Sequence, residues 1–253
     1  LLSCKKETTD MRKEDIDYLN RGDRENFQFW KRLGGKPDLK GRTVLDVGCG
    51  HGNMCIDMAL SGAKKVVGLD LNAALIDFAR ENLHANYPSL TDRIHFECRD
   101  LADYECEVFD LIVSKDSFEH ILNLDRMLAE MGKRLKSRGA IYTGFAPLYN
   151  APYGDHKRTK AIVPWGHLII PERILLKRLK RQDLHINTVY DLGLNKLSLS
   201  EYKRIFLNSG LKVRQFEVNK DVRTISKLIT FTAKLFLLGE YFSHNIYAIL
   251  EKE

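Results

Sequence analysis

Much that would mark a specialised chain is missing from these 253 residues. No apolar run approaches the roughly 20 residues that a membrane-spanning helix needs, so no transmembrane segment is expected. No secretory leader is visible. Leu1-Leu2-Ser3-Cys4 looks faintly like a lipoprotein cleavage box, but the basic and apolar regions that should precede it are absent. The five cysteines (Cys4, Cys49, Cys55, Cys98, Cys106) are odd in number and form no C-x-x-C pair, which argues for a reduced, cytoplasmic chain. The chain does not begin with Met, as expected of one trimmed or cut from a longer polypeptide. What remains is enough for an enzyme-sized globular unit, a single α/β domain with an insertion.

Also absent is the G-x-G-x-x-G dinucleotide fingerprint. In its place Thr43-Val44-Leu45-Asp46-Val47-Gly48-Cys49-Gly50-His51-Gly52 reads as a buried parallel strand running into a loop where backbone passes close to a ligand. A second strand, Lys65-Val66-Val67-Gly68-Leu69-Asp70, also ends in an acid. A glycine loop with an acid at the tip of the next strand is a general device for holding an adenosine-containing cofactor. The acid at 46 would suit a cationic ligand and repel a phosphate. Asp-x-Gly-x-Gly-x-Gly at 46–52 closely resembles motif I of the class I S-adenosylmethionine-dependent methyltransferases.

The rest of the pattern alternates. Strands are expected at 43–49, 65–71, 94–99, 109–114 and 139–145, with helices at 53–61, 73–86 and 124–136 between them. Strict β-α alternation argues a parallel sheet covered by helices. Residues 10–35 read as an amphipathic helix pair carrying Tyr18, Phe27, Phe29 and Trp30. Gly139 reads as a helix C-cap after Lys133, Arg134, Lys136 and Arg138. A helix at 199–208 ending at Gly210, a strand at 211–218 and a final strand at 244–250 close the chain. The two end strands resemble the hairpin that sets this family apart from dehydrogenases. The resemblance covers about 40–146 and 198–253 and implies a Rossmann-like, seven-stranded, mostly parallel sheet with an antiparallel final strand. Expected divisions are a helical cap at 1–40, the cofactor core at 41–146, a substrate-face insertion at 147–197 and completion of the core at 198–253.

Residue roles follow from the resemblance. Gly48 and Gly50 would let backbone meet the methionine part of S-adenosylmethionine, and Asp46 would orient its ammonium through water. Asp70 would accept from both ribose hydroxyls, since a carboxylate offers two acceptor oxygens and no donor. Leu71 would pack on the adenine, Asp100 would meet its exocyclic amine, and Leu101 would donate its amide to the ring. Asp100 reads equally as a helix N-cap. Ser114 or Lys115 would contribute backbone near the methionine. Asp116-Ser117-Phe118-Glu119-His120 resembles the acid-x-x-Glu-His element that some class I enzymes use, with a later histidine, to bind a divalent cation such as Mg²⁺ or Mn²⁺. On a helix, Asp116, Glu119 and His120 would share one face. Many relatives keep this element without metal, where Glu and His serve the fold.

Methyl transfer to oxygen needs proximity and, for a weakly acidic hydroxyl, a base. His156 and His167, in Gly- and aromatic-flanked loops after the fifth strand, are the candidates. Either would serve equally as a metal ligand or a loop-stabilising residue. Lys157, Arg158, Lys160, Arg173, Lys177, Arg178, Lys180 and Arg181 meet only Glu172 in return. That basic run, densest at 172–181, is a solvated face or a site for an anionic partner: a phosphopantetheine carrier, a phospholipid surface or RNA. No RNA-binding signature accompanies it, which sets nucleic acid last. Ile225, Leu228, Ile229, Thr232, Leu235 and Phe236 form an apolar helical stripe that suits a core or homodimer helix, or an interfacial membrane helix. Transfer to oxygen of a small or carrier-bound acceptor is the expected activity. C- or N-methylation of a lipid or quinone is the alternative, and a catalytically silent cofactor-binding subunit is the non-enzyme reading.

Overall fold

The computed structural model describes residues 11–104, 107–180, 186–219 and 238–253, with backbone only for 11–20. The stripe at 225–236, together with Arg181, His185, Cys4 and Cys106, lies outside the described residues.

The elements alternate as the sequence predicts. In chain order they are α1 (Met11–Arg32), β1 (Thr43–Val47), α2 (Asn53–Leu60), β2 (Lys65–Asp70), α3 (Ala73–Asn86), β3 (Ile94–Cys98), β4 (Phe109–Lys115), α4 (Leu124–Lys133) and β5 (Leu135–Phe145). Then follow α5 (Gly166–Ile169), α6 (Glu172–Lys180), α7 (Leu199–Leu207), β6 (Lys212–Val218) and β7 (Ile246–Glu251). One seven-stranded sheet has the order β3-β2-β1-β4-β5-β7-β6. β1 pairs in parallel with β2 (Val44 opposite Val66) and with β4 (Val44 opposite Leu111), so the strand order reverses at β1. Crevices at the carboxyl ends of strands beside such a reversal are where open α/β sheets bind ligands. β7 is antiparallel to β5: its neighbours Lys252 and His244 bond to Gly139 and Leu148 respectively, so one chain ascends as the other descends. The Rossmann-like sheet with an antiparallel last strand is therefore as expected.

The chain divides into two compact units. The first comprises Leu1–Lys115, Glu130–Tyr142 and Glu251–Glu253; the second comprises Asp116–Ala129 and Thr143–Leu250. Continuous apolar strands build the first: Val44, Leu45, Val66, Ile112 and Val113 are fully buried, as strands covered on both faces require. An aromatic cluster of Phe118, Phe145, Tyr202 and Phe206 organises the second, with ring centroids 5.0–6.0 Å apart.

Two local expectations fail. Residues 11–32 form one helix rather than a pair. Gly22 sits inside it because a Cβ there would meet the Asn53 side chain at 2.3 Å, so the glycine permits close approach of α2 and marks no break. Gly139 is not a helix cap but lies within β5. Its carbonyl accepts from the Lys252 amide, and a Cβ would lie 2.8 Å from Leu135 Cγ. Of the cations before it only Lys133 lies in the last turn of α4; Arg134 donates to the Tyr104 carbonyl and Lys136 pairs with Asp110 at 2.9 Å. Strand pairing overrode a local cap signal.

Candidate active site

The glycine loop after β1 turns sharply because Gly48, Gly50 and Gly52 have φ of 77°, 50° and 80°, a region that favours glycine. The three are not equivalent. A Cβ on Gly52 would strike the Phe96 ring at 2.5 Å, whereas nothing lies within 4 Å of one on Gly50. Gly52 is therefore packed against the fold, and Gly50 faces open space. Asp70, at the tip of β2, spans the loop and α3. Its Oδ2 accepts from the Gly50 amide at 2.9 Å and its Oδ1 from the Asn72 amide at 2.8 Å. Each oxygen keeps a further lone pair for a ligand. Next to it, Leu71 is 72% exposed, an apolar side chain awaiting cover.

Asp46 is buried. Its Oδ2 accepts from Cys55 Sγ at 3.3 Å, and burial pushes its pKa up to about 7, with the Asp70 charge adding and Lys115 opposing. A cavity of about 20 Å³ lined by Asn26, Asp46, Gly48, Cys49, Asn53, Met54 and Lys115 adjoins it. That is room for one water with polar partners on several sides. Asn26 Oδ1, which has no hydrogen-bond partner, lines the same space. Asn26 and Asn53 were not legible in the sequence, because their contact joins residues 27 apart in different helices. Asp100 caps the short turn 101–103 through the Ala102 amide at 2.9 Å, with Leu101 buried behind it. Its N-cap role is therefore realised. Ser114 Oγ donates to the Val47 carbonyl at 2.9 Å and ties β4 to β1, while Lys115 pairs with Glu25 at 3.3 Å.

The second unit holds a different cluster. The acid-x-x-Glu-His element does not form a helical face: Asp116 has a φ of 52° and only 118–120 make a 3-10 turn. The ligand atoms that converge are instead those of Glu119, His120 and His156, all within 4.8 Å of one another. Asp116 is not in this group. The rings of His120 and His156 lie 4.8 Å apart. Both Glu119 oxygens and His156 Nε2 are buried without a hydrogen-bond partner. Burial, then the Asp116 charge, drives the Glu119 pKa well above the carboxylate range. Burial lowers both histidines, His156 to about 4. His120 Nδ1 donates to the Gly193 carbonyl at 2.7 Å, which leaves Nε2 as its ligand nitrogen. Three orphaned ligand atoms, with the His120 ring already oriented from behind, form a group that could hold a metal ion.

Asn195, which no sequence signal marked, holds the turn that carries Glu119 and His120. Its Nδ2 donates to the Phe118 and Ile121 carbonyls at 2.7 and 3.2 Å, and its Oδ1 accepts from Tyr202 at 2.9 Å. Its backbone amide donates to the Glu119 carbonyl at 3.1 Å. Arg158 donates to the Leu192 and Gly193 carbonyls, behind His120. His167 differs from the loop base expected. It is buried, donates from Nε2 to the Tyr149 carbonyl at 2.6 Å, and sets Nδ1 3.7 Å from Asp155. Asp155 is itself buried and bonded to Thr159. This is a packing histidine in a closed polar network.

A family model described as a methyltransferase domain matches residues 38–148. The ubiquinone biosynthesis O-methyltransferase of Neisseria meningitidis is 32% identical over 148 residues, covering 57% of this chain and 56% of that one. The magnesium-protoporphyrin O-methyltransferase of Rhodobacter capsulatus is 37% identical over 102 residues, covering 40% and 44%. The chain thus spans about half the length of the curated relatives it matches. Geranyl diphosphate C-methyltransferase of Streptomyces coelicolor, solved with Mg²⁺, geranyl diphosphate and S-adenosyl-L-homocysteine, shares the fold with a TM-score of 0.61. It is 15% identical, over 98% of this chain and 86% of that one. Residues 38–148 thus match a methyltransferase domain, and the fold is shared with S-adenosylmethionine-dependent methyltransferases. Among the described residues, no helix is long and apolar enough to cross a membrane.

Proposed function

We propose that this protein transfers a methyl group from S-adenosylmethionine to oxygen on a small-molecule or carrier-bound acceptor. The observation that carries the reading is the Asp70 carboxylate, fixed by the Gly50 and Asn72 amides beside the open face of Gly50. A rigid acceptor pair next to uncluttered backbone suits a ribose diol and a methionine chain. Asp46, with its one-water cavity, suits the methionine ammonium; Leu71 suits the adenine, with Asp100 and Leu101 at its edge. The cofactor supplies a sulfonium-bound methyl for in-line displacement, so the chain need only position the acceptor and take its proton.

Glu119, His120 and His156 would hold a divalent ion, which would lower the pKa of a coordinated hydroxyl. Relatives named for ubiquinone and magnesium-protoporphyrin O-methylation favour oxygen as the acceptor atom. Calorimetry with S-adenosylmethionine, its demethylated product and NAD tests the cofactor. The first two should bind and NAD should not, and Asp70→Ala should lose about 1.5–3 kcal/mol, the worth of charge-assisted hydrogen bonds. Undiminished binding in that variant would remove Asp70 from the site. Labelled-methyl screening of metabolite pools, with and without divalent metal, then finds the acceptor.

A further inference from the structure

The residues from 151 to 180 carry an unusual surface. Ile162 and Ile169 are 88% and 73% exposed, and Val163 and Ile174 are exposed as well. Scattered exposed apolar residues need no explanation, but four β-branched side chains within thirteen positions do. Ile162 and Val163 sit in the loop just before α5. Ile169 ends α5, and Ile174 lies one turn into α6, across the Ile170-Pro171 bend.

Charge on this surface has one sign. Helix α6 buries Leu175 and Leu179 and turns Arg173, Ile174, Lys177 and Arg178 outward, where they line one groove. The segment's two acids are withdrawn from it. Asp155 is buried against Thr159, and Glu172 accepts from the Val189 amide and pairs with Lys196. No carboxylate among the described residues partners Arg173, Lys177 or Arg178. On α6 these cations stand beside the exposed Ile174, with no carboxylate among the described residues to neutralise them.

We propose that this face docks on an anionic phospholipid surface. Isoleucine side chains of the loop before α5 and of the end of α5 enter the acyl boundary, and the arginines and lysine of α6, beside Ile174, meet the headgroups. RNA would use the cations but would leave Ile162 and Ile169 in water, and a carrier protein would need an apolar patch set beside its acids to cover them. The lipid surface accounts for both. It also places an apolar acceptor within reach without requiring one, so the proposal stands apart from the acceptor's identity.

Vesicle sedimentation tests it, with phosphatidylcholine alone and with phosphatidylcholine plus phosphatidylglycerol. The chain should bind the mixed vesicles, release them as salt rises, and leave the neutral ones. Lys177→Glu with Arg178→Glu should weaken binding on the order of twentyfold or more, since each charge near the surface contributes roughly fivefold. Ile162→Ser with Ile169→Ser should weaken it on the order of tenfold or more, with thermal stability unchanged. Arg173→Lys, which keeps the charge, should bind as wild type. Equal binding to both vesicle types, no binding at low salt, or undiminished binding in both double variants would overturn the proposal. So would binding to an acidic carrier protein or to RNA with no binding to vesicles. Sedimentation reads no methyl transfer, so its failure is distinct from failure of the proposed activity.

Discussion

Cys55 and Asp46 share a hydrogen bond of 3.3 Å out of reach of bulk water, and that bond anchors the start of α2 to the end of β1. A thiol is a weak donor, so it recovers little of what burial costs the carboxylate. The carboxyl holds its proton up to about pH 7 in the folded chain against an ordinary value of 3.8.

The sign of the consequence is fixed by linkage. Between 3.8 and about 7 the folded state binds more protons at Asp46 than the unfolded one, so stability from this group is lost as pH rises through that window. His156, lowered from 6.5 to about 4, acts oppositely and favours folding as pH rises between those values. Asp46→Asn isolates the first effect. It should flatten the fall and raise stability near pH 8 by a few kcal/mol on an order-of-magnitude scale, read from urea unfolding across pH. A cationic cofactor should release a proton from Asp46 on binding near neutrality, seen by calorimetry in buffers of different ionisation enthalpy. Equal heats in all buffers would detach Asp46 from the ligand.

The glycine loop offers a paired test. Gly52→Ala should cost roughly 2–4 kcal/mol of stability, combining a positive φ with a collision against the Phe96 ring. Gly50→Ala carries only the backbone strain of about 1–2 kcal/mol, and should fold but bind cofactor at least tenfold more weakly because its methyl enters the open space. Thermal melts and calorimetry on both variants separate the two roles. Equal losses in both assays would erase the distinction.

A metal at Glu119, His120 and His156 should reveal itself without turnover. Ions that accept nitrogen ligands, such as Mn²⁺, Co²⁺ or Zn²⁺, should raise the melting temperature more than Mg²⁺ does. At a hundredfold excess over Kd the stabilisation should reach about 2.7 kcal/mol. Glu119→Gln and His156→Ala should abolish the shift, and Asp116→Asn should retain most of it. Should Asp116→Asn lose the shift while His156→Ala keeps it, the ligand set would be the one that sequence spacing suggested.

The two candidate histidines should part company. His156→Ala should lower kcat by roughly 10²–10⁴-fold, whether the residue takes a proton or holds an ion that does. His167→Ala leaves Asp155 and the Tyr149 carbonyl buried with a partner missing, so it should cost about 1–3 kcal/mol of stability. Per folded molecule its kcat should stay near wild type. Stopped activity with a normal melt in His167→Ala would restore it to the chemistry.

What the sequence made legible was local. Asp46, the three glycines and Asp70 follow from strand-loop-strand spacing, and the alternating sheet follows from the same periodicity. Gly139 misled because a helix end and a tight strand approach both select glycine, and only the pairing with Lys252 tells them apart. The acid-x-x-Glu-His element pointed to two of the three side chains that converge, but not to the group itself. Its spacing assumed a helix, the chain makes a 3-10 turn after a left-handed Asp116, and the third member of the group, His156, comes from 36 residues downstream of His120. Asn26, Asn53 and Asn195 carried no signal at all, since each acts through a partner remote in sequence.

Asn195 has a consequence for how such chains are classified. It satisfies all its amide hydrogen-bonding groups within the second unit and touches no reacting atom in doing so. A descendant that exchanged it for alanine would still display every residue of the glycine loop and of the acid-x-x-Glu-His element. The turn that aims Glu119 and His120 would nevertheless be unclamped. Counting signature residues would score such a chain as intact, while the convergence of Glu119, His120 and His156 had already drifted. The information that separates a working site from its shell is stored partly in a side chain that no signature includes.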